Sequence, residues 1–239
     1  MSWQEKTQLL TGEEVLQKLK NASVLVAGLG GVGGAAAEML ARAGVGNMTI
    51  VDSDTVHPTN LNRQILSLNS NIGKKKVELW QQRLLDINPQ LKLTIFDEFI
   101  RDEKMIEILD RGYDYVIDAI DTLSPKVFLI YHCVLKQLPI VSSMGAGGKV
   151  DPTQVEISDI SESHTCRLAY NIRKRLHRFG IQDGVTVVFS GERVPKESVV
   201  TVKGEPNKIT TVGTISYMPN VFGCFCASVV IRNLAGLDF

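Results

Sequence analysis

The chain has 239 residues, 44% of them hydrophobic, which is enough to bury the core of one α/β domain with a small extension. Lys and Arg total 26 and so do Asp and Glu, so a nucleic-acid partner would have to bind a local basic patch. The four cysteines contain no Cys-x-x-Cys pair, which argues against a zinc ribbon or a disulfide framework and predicts a reducing, cytoplasmic location.

Neither end of the chain shows an export signal or a membrane span. Met1–Leu10 is polar and lacks the apolar centre of a signal peptide. Val221–Ile231 is the most apolar stretch, but Arg232 and Asn233 end it well short of the about 18 residues that a membrane-spanning helix needs. We therefore predict no membrane span and expect Val221–Ile231 to form a buried helix that could lie at a subunit interface.

Helices and strands alternate through the first 150 residues. A short amphipathic helix at Glu13–Lys20 precedes a strand at Val24–Gly28 and a helix at Gly33–Ala43. A longer helix is predicted at Gly73–Asn88, with Trp80 packed in the core. The remaining strands of this part are Met48–Val51, Leu93–Phe96, Tyr115–Ile120 and Ile140–Ser143.

Beyond Gly148 the pattern changes to shorter strands around one helix at Cys166–Phe179. Those strands are predicted at Val155–Ile157, Val185–Phe189 and Val199–Val202. Together the elements predict a Rossmann-like, doubly wound α/β sheet with a C-terminal strand-and-helix extension. We expect a single domain over 1–239, with a nucleotide-binding core at 1–150 and an extension for substrate and dimer contacts at 151–239.

A glycine-rich turn follows the first strand of the core, with the sequence Gly28-Leu29-Gly30-Gly31-Val32-Gly33. Without Cβ atoms the turn can be tight, and amides at the helix N-terminus can contact an anion directly. Asp52 ends the second strand, near the roughly 20-residue offset typical of an acid that binds ribose hydroxyls. The pair predicts a mononucleotide site, although such a turn alone could simply allow close helix–strand packing.

Polar and basic residues follow the second strand. Arg63 can bind a phosphate through two hydrogen bonds, and Asn60 can bond a ribose or phosphate oxygen. A solvated loop with turn-forming asparagines is the alternative. Lys76 directly precedes the apolar Val77 and could meet a triphosphate, whereas three consecutive lysines are also typical of a solvated surface.

Two aspartates close the fourth strand, in the sequence Asp118-Ala119-Ile120-Asp121. Ligands bind at the carboxyl ends of strands in sheets of this type. An aspartate at that place can bind Mg²⁺ together with triphosphate oxygens. This segment therefore predicts a Mg²⁺-binding aspartate at the nucleotide site.

These motifs resemble the ubiquitin-activating-enzyme-like ATP-binding fold of the ThiF/MoeB type. Members of that superfamily adenylate a carboxylate with MgATP. The resemblance implies that Asp52 binds ribose, that Arg63 and Lys76 contact the triphosphate, and that Asp121 binds Mg²⁺, which makes Arg63, Lys76 and Asp121 the catalytic set. The matching motifs are Gly28-x-Gly30-Gly31-x-Gly33, Asp52-x-Asp54, Asn60-Leu61-Asn62-Arg63-Gln64, Gly73-x-x-Lys76 and Asp118-Ala119-Ile120-Asp121.

The segment Ser143–Thr153, followed by Asp159-Ile160 and a basic helix, resembles the tRNA threonylcarbamoyladenosine dehydratase family across essentially the whole chain. That family uses ATP to activate the threonine carboxylate of the modified adenosine beside a tRNA anticodon, and the side chain cyclises with loss of water. The resemblance implies a homodimeric tRNA-modifying dehydratase or ligase. Either an acyl-adenylate or an acyl-phosphate would serve. Arg167 and Lys6 depart from the family, which usually has Pro and Arg there.

The basic helix predicts a footprint for tRNA phosphates. Helical geometry places Arg167, Lys174 and Arg178 on one face. An ordinary charged surface helix is the alternative, and the family resemblance favours RNA. The apolar side is expected to consist of Leu168, Ile172, Leu176 and Phe179.

Two further functions stay open. One is adenylation of the C-terminus of a ubiquitin-like sulfur carrier, which the missing Cys-x-x-Cys pairs disfavour. The other is a non-catalytic, nucleotide-dependent scaffold for RNA binding or sulfur transfer, with a cysteine desulfurase or a sulfur acceptor as partner. Of the cysteines, Cys133, Cys224 and Cys226 are expected to be buried structural thiols, and Cys166 is expected in polar surroundings.

Overall fold

A seven-stranded sheet organises the residues that the computed structural model describes, 2–201 and 210–237. Its strands lie in the order β3-β2-β1-β4-β5-β7-β6, and a separate hairpin pairs β8 with β9. The strands are β1 (Ser23–Ala27), β2 (Asn47–Val51), β3 (Lys92–Phe96), β4 (Tyr115–Asp118), β5 (Ile140–Ser143), β6 (Val155–Asp159), β7 (Thr186–Ser190), β8 (Val199–Thr201) and β9 (Thr210–Val212).

Helices cover both faces of this sheet. One face packs against α2, α3, α4 and α8, and the other packs against α5, α6 and α7. Trp80 of α4 is buried in the first of these two cores, as predicted. The helices are α1 (Glu5–Thr11), α2 (Glu13–Asn21), α3 (Gly31–Ala43), α4 (Lys76–Ile87), α5 (Asp102–Leu109), α6 (Leu123–Leu135), α7 (Arg167–Leu176) and α8 (Met218–Ala235).

The direction of winding reverses between β1 and β4. Ala27 at the end of β1 pairs with Val51 of β2 on one side and with Asp118 of β4 on the other, both in parallel. From β1 the chain proceeds outward to β2 and β3, then returns to β4 and continues to β5. In doubly wound sheets the crevice at such a reversal is where ligands bind. The predicted doubly wound fold is therefore confirmed, and its switch point lies between β1 and β4.

The sheet continues past residue 150. β7 joins β5 in parallel, with Ser142 opposite Val187, and β6 closes the edge antiparallel to β7. Of the hairpin formed by β8 and β9, the sequence predicted only the first strand. The last residue of the predicted strand at Val199–Val202 lies outside the described residues.

Several elements are shorter than predicted, either beginning later or ending earlier along the chain. β4 stops at Asp118, whose carboxylate accepts the Ile120 amide and turns the chain. α4 begins at Lys76 rather than Gly73, since Gly73 has a φ of +83° and Lys75 forms a bridge with Thr55. α7 ends at Leu176, and residues 177–179 form a 3-10 turn.

The apolar C-terminal helix α8 is longer than the predicted Val221–Ile231. Among the described residues it is the one helix long and apolar enough to span a membrane, but half of it is buried in the protein. It packs against α3 so closely that a Cβ at Gly223 would overlap the Val32 carbonyl oxygen. Its apolarity is that of a core helix. Cys226 is buried, but Cys224 is exposed, so the expected burial of Cys224 was wrong.

Candidate functional site at the switch point

The glycine turn between β1 and α3 is shaped by backbone contacts with its neighbours. Gly28 has a φ of +88°, and a Cβ there would lie 2.8 Å from the Ala119 oxygen. A Cβ at Gly33 would overlap the Gly28 oxygen, and one at Gly31 would lie 2.7 Å from Pro219 Cβ. At Gly30 the nearest atom would be Gln64 Nε2, at 3.7 Å. Packing therefore requires three of these glycines, whereas a Cβ at Gly30, at the N-terminus of α3, would make only an ordinary van der Waals contact.

Asp52 ties the glycine turn to the loop after β2. Its Oδ2 accepts a hydrogen bond from the Leu29 amide at 2.6 Å, and its Oδ1 accepts one from the Asp54 amide at 2.8 Å. Burial raises the pKa of Asp52 above its ordinary value, and the charge of Lys76 opposes that shift. The predicted ribose-binding acid therefore lies directly beside the turn.

Lys76 is the inward-facing member of its lysine run. Its side chain is 5% exposed, and Nζ lies 2.8 Å from Asp54 Oδ2. Lys74 is exposed, and Lys75 pairs with Asp97 at 3.1 Å. The solvated-surface alternative thus describes Lys74, while Lys76 is held beneath the loop that begins at Asp52.

Asn60 ends a 3-10 turn of the same loop, Pro58–Asn60, and Arg63 lies in the turn that follows it. Arg63 Nη1 donates to the Thr59 oxygen at 2.7 Å and to Asn62 Oδ1 at 2.9 Å. Asn60 Oδ1 accepts the His57 amide at 3.0 Å, so the turn-forming alternative holds for this oxygen. The backbone oxygen of Arg63 accepts from Asn220 of α8 at 3.3 Å. This hydrogen bond connects the turn to α8. The sequence analysis did not identify Asn220.

The two aspartates at the end of β4 differ from each other in burial. Asp118 is fully buried, with Oδ2 lying 2.9 Å from Lys126 Nζ and 2.6 Å from Ser142 Oγ. Asp121 lies three residues further on and is exposed. The sequence pattern missed Lys126 and Ser142. A detectable signal existed for Lys126, since it is the one lysine in the apolar helix α6 before its C-cap.

The structure brings the predicted motifs to one end of the sheet. Leu29 bonds Asp52, the Gly28 backbone abuts Ala119, and the Arg63 oxygen would lie 3.1 Å from a Cβ at Gly31. An uncrowded Gly30 at a helix N-terminus and the buried Lys76 fit a polyphosphate. No group of three metal-ligating side chains exists among residues 2–201 and 210–237, but Mg²⁺ needs only one or two carboxylates beside phosphate oxygens. Asp121 fits that requirement.

The predicted RNA footprint lies on α7 and the turn after it. Arg167, Lys174 and Arg178 are all exposed. Arg178 lies in the 3-10 turn, so the α-helical geometry that placed it with the other two was wrong. Phe179 is 43% exposed rather than part of a sealed apolar side, and its ring centroid lies 4.8 Å from that of Tyr131.

The segment after β5 is held by a third buried lysine, in addition to Lys76 and Lys126. Lys149 is 1% exposed and donates to the backbone oxygens of Ser190, at 3.3 Å, and Glu192. The Glu192 carboxylate accepts the amides of Val150 and Asp151, each at 2.9 Å. Burial lowers the pKa of Lys149. The family resemblance rests partly on this segment, but the sequence did not reveal the contacts of Lys149 and Glu192.

The cysteines are all free thiols. Burial raises the pKa of both Cys133 and Cys226 to about 12, which keeps them protonated and supports a structural role. Cys166, expected in polar surroundings, is buried, because it packs against Gly145 as α7 begins.

The ThiF family model matches residues 4–238 of this chain. The chain belongs to the ThiF family. This ThiF-family protein is 41% identical over 236 residues to the tRNA threonylcarbamoyladenosine dehydratase of Bacillus subtilis (strain 168), covering 96% of this chain and 93% of the relative. The dehydratase of Escherichia coli (strain K12) is 41% identical over 201 residues, covering 80% and 75% of the two chains.

Solved structures agree with the family. The crystal structure of E. coli TcdA, a tRNA N6-threonylcarbamoyladenosine dehydratase, in complex with ATP matches this ThiF-family protein with a TM-score of 0.89 at 36% identity, covering 97% and 93% of the two chains. A complex of the same enzyme with AMP matches with a TM-score of 0.88. E. coli MccB with ATP, at 20% identity and a TM-score of 0.66, shares the fold.

Proposed function

We propose that this ThiF-family protein is an ATP-dependent dehydratase that cyclises threonylcarbamoyladenosine beside the anticodon of tRNA. The observation that carries this proposal is the 41% identity to the B. subtilis dehydratase over 96% of the chain. The ATP and AMP complexes of the E. coli relative support ATP as a substrate. The geometry at the switch point supports the same conclusion, because it combines room for phosphates with an inward lysine.

Each residue of the switch point has a role in this proposal. The turn from Gly28 through Gly30 and Gly31 to Gly33 gives the phosphates access to the amides of α3. Asp52 binds the ribose. Asp54 pairs with Lys76 and orients its ammonium group toward the triphosphate. Asn60 supports the turn that carries Arg63. Mg²⁺ bound at Asp121 would neutralise charge on the triphosphate.

The chemistry needs no protein nucleophile. A carboxylate oxygen of the substrate attacks a phosphorus of ATP, and a phosphoanhydride bond breaks as pyrophosphate leaves (attack at the α-phosphorus) or ADP leaves (attack at the γ-phosphorus). The carboxylate oxygen thereby becomes part of a leaving group. A carbamoyl nitrogen or oxygen of the same substrate then attacks the acyl carbon, the activated oxygen departs with its phosphate, and a proton is released. High effective concentration favours this ring closure. Arg63 and Lys76 stabilise the charge on the phosphates, which is commonly the largest contribution to catalysis.

The proposal extends to partners and location. Arg167, Lys174 and Arg178 would contact tRNA phosphates, with 1–150 serving the nucleotide and 151–239 serving the substrate and a dimer interface that includes α8. The tRNA substrate and the four free thiols support a cytoplasmic location. A cysteine desulfurase or a sulfur acceptor is proposed as an additional partner.

The decisive experiment is mass spectrometry of nucleosides from threonylcarbamoyl-modified tRNA after incubation with the protein and MgATP. We expect the modified nucleoside to lose one water, and only when ATP is present. Parallel measurement of AMP and ADP distinguishes an acyl-adenylate from an acyl-phosphate. Asp121→Ala should abolish the mass change, while Asp110→Ala, at an exposed carboxylate after α5, should leave it intact.

A second function is supported by one comparison. The molybdopterin-synthase adenylyltransferase of Salmonella typhimurium (strain LT2) is 35% identical over 184 residues, covering 77% of this chain and 70% of the relative. Adenylation of a sulfur-carrier C-terminus would replace the dehydratase proposal if tRNA stays unchanged and a carrier adenylate forms. ATP binding with neither reaction, and no effect of Asp121→Ala, would favour the scaffold.

A further inference from the structure

Lys126 lies in the first turns of α6 with none of its side chain exposed. Its Nζ lies 2.9 Å from Asp118 Oδ2. The same nitrogen donates to the backbone oxygen of Asp118 at 3.3 Å and to that of Ile120 at 3.0 Å. An ammonium group has three protons, so these three contacts use its whole donor capacity.

Asp118 completes the network from the other side. Its Oδ2 accepts the hydroxyl of Ser142 at 2.6 Å, and its Oδ1 accepts the Ile120 amide at 3.1 Å. Ile120 is therefore held at both of its backbone groups, by Asp118 at the amide and by Lys126 at the carbonyl. The next residue is Asp121. These two hydrogen bonds fix the backbone of Ile120, which directly precedes Asp121.

The same turn sets the width of the switch point. Ala119 abuts the glycine turn, where a Cβ at Gly28 would lie only 2.8 Å from the Ala119 oxygen. A shift of Ala119–Asp121 would thus change the distance between the Asp121 carboxylate and the N-terminus of α3.

A buried ion pair is a weak source of stability. Removing two charges from water costs several kcal/mol, and apolar replacements of similar volume are often neutral or stabilising. The Lys126 ammonium also spends two of its three hydrogen bonds on the backbone that leads to Asp121. We propose that Lys126 is a positioning residue that holds the Ala119–Asp121 turn, and with it the Asp121 carboxylate, against the glycine turn. This inference rests on the proposed role of Asp121 at the nucleotide phosphates.

The test separates charge balance from positioning. Lys126→Met leaves a buried, unpaired Asp118 and should lower the melting temperature. The double substitution D118N/K126M removes both charges and keeps the volumes similar, so it should recover most of that melting temperature. It still lacks the hydrogen bond to the Ile120 oxygen. Lys136→Met, at an exposed lysine that caps the same helix, is the matched control.

The main readout is equilibrium binding of a fluorescent ATP analogue, titrated with Mg²⁺. For D118N/K126M we expect nucleotide affinity without Mg²⁺ within about twofold of the unsubstituted protein, and a Mg²⁺ midpoint raised about tenfold, equivalent to about 1.4 kcal/mol. In turnover, kcat should fall while the KM for tRNA is unchanged. Lys126→Arg, which can still donate to the Ile120 oxygen, should restore part of the Mg²⁺ response.

The inference is overturned if D118N/K126M recovers its melting temperature and also shows the Mg²⁺ midpoint and kcat of the unsubstituted protein. If Lys126→Met does not fold, the double substitution and Lys126→Arg carry the test unchanged. The proposed function can fail separately. An unsubstituted protein that never dehydrates tRNA, combined with a shifted Mg²⁺ midpoint in D118N/K126M, would reject the substrate and retain the positioning role.

Discussion

Lys76 Nζ and Asp54 Oδ2 lie 2.8 Å apart, joining the first residue of α4 to the loop that follows β2. The lysine side chain is 5% exposed and the aspartate side chain is 67% exposed, so the pair spans the boundary between core and solvent. The Lys76 amide also donates to the Asp54 oxygen at 3.1 Å. The buried methylene groups of Lys76 and the ion pair with Asp54 keep the ammonium in one position, and the amide hydrogen bond fixes the backbone from which it extends. A phosphate-binding group requires such a fixed position.

Lys76→Met should therefore remove catalysis without removing the fold. We expect kcat/KM for ATP to fall by about 10² to 10³, the usual effect of deleting one preorganised electrostatic contact. Lys74→Met is the matched control, because Lys74 lies two residues away and is exposed. Steady-state kinetics with ATP as the varied substrate measure the effect. Equal losses in both variants would contradict the assignment of Lys76 to the triphosphate.

Gly30 and Gly33 should respond to alanine in opposite ways. A methyl group at Gly30 meets nothing nearer than 3.7 Å, and its φ of −70° suits any residue, so folding should be preserved. We expect the methyl group to occupy the phosphate space and weaken ATP binding about tenfold, or about 1.4 kcal/mol. Gly33→Ala should instead destabilise the protein, because its Cβ would overlap the Gly28 oxygen.

Thermal unfolding and calorimetric titration with ATP distinguish these two glycine effects. An unchanged ATP affinity in Gly30→Ala would contradict the proposal that a phosphate binds beside Gly30.

The exposed basic residues of the α7 region should contribute to tRNA affinity in a salt-dependent manner. Arg167→Ala, Lys174→Ala and Arg178→Ala should each reduce the slope of log K against log[salt] by up to about 0.9, the value for one duplex phosphate contact. Lys92→Ala, at an exposed lysine of β3, should leave the slope unchanged. Filter binding across a salt series provides the slopes. A slope that none of the three substitutions changes would place the RNA elsewhere.

Glu38 should make folding stability depend on pH. Burial alone would raise the pKa of Glu38, but hydrogen bonds from Arg83 and Arg42 outweigh it and hold the pKa below the ordinary value of 4.5. Because the folded-state pKa is depressed, the contribution is present above pH 4.5 and is lost as the pH falls through the folded-state pKa. Glu38→Gln should be less stable at neutral pH and lose less stability on acidification.

Urea unfolding at a series of pH values measures the Glu38 effect. Glu14→Gln serves as the control, since Glu14 forms an exposed pair with Lys18. Parallel curves for the unsubstituted protein and Glu38→Gln would rule out this linkage.

The convergence of the predicted motifs at one end of the sheet was predictable from the sequence because the signals of these motifs are local. A glycine turn needs particular backbone conformations within a few residues, and Asp52 and Asp121 come shortly after strands that were recognisable from their apolar runs. Lys126 was missed because its partners Asp118 and Ser142 meet only through the parallel pairing of β4 with β5, where they are opposite residues. The burial of Cys166 and Cys224 was mispredicted for the same reason. Helix periodicity does not tell which side of a helix other parts of the chain will cover.

By itself, the sequence determined the alternation of strands and helices, the order of the phosphate-binding motifs and the family they resemble. Each of those properties depends on residues that are close together in the chain. The tertiary structure decided that Lys76 and Lys126 face inward while Lys74 faces solvent, and that a Cβ at Gly30 would not be crowded by its neighbours. Burial, ion pairing and free volume depend on distances between segments far apart in the chain, and only the packed sheet and its helices set those distances.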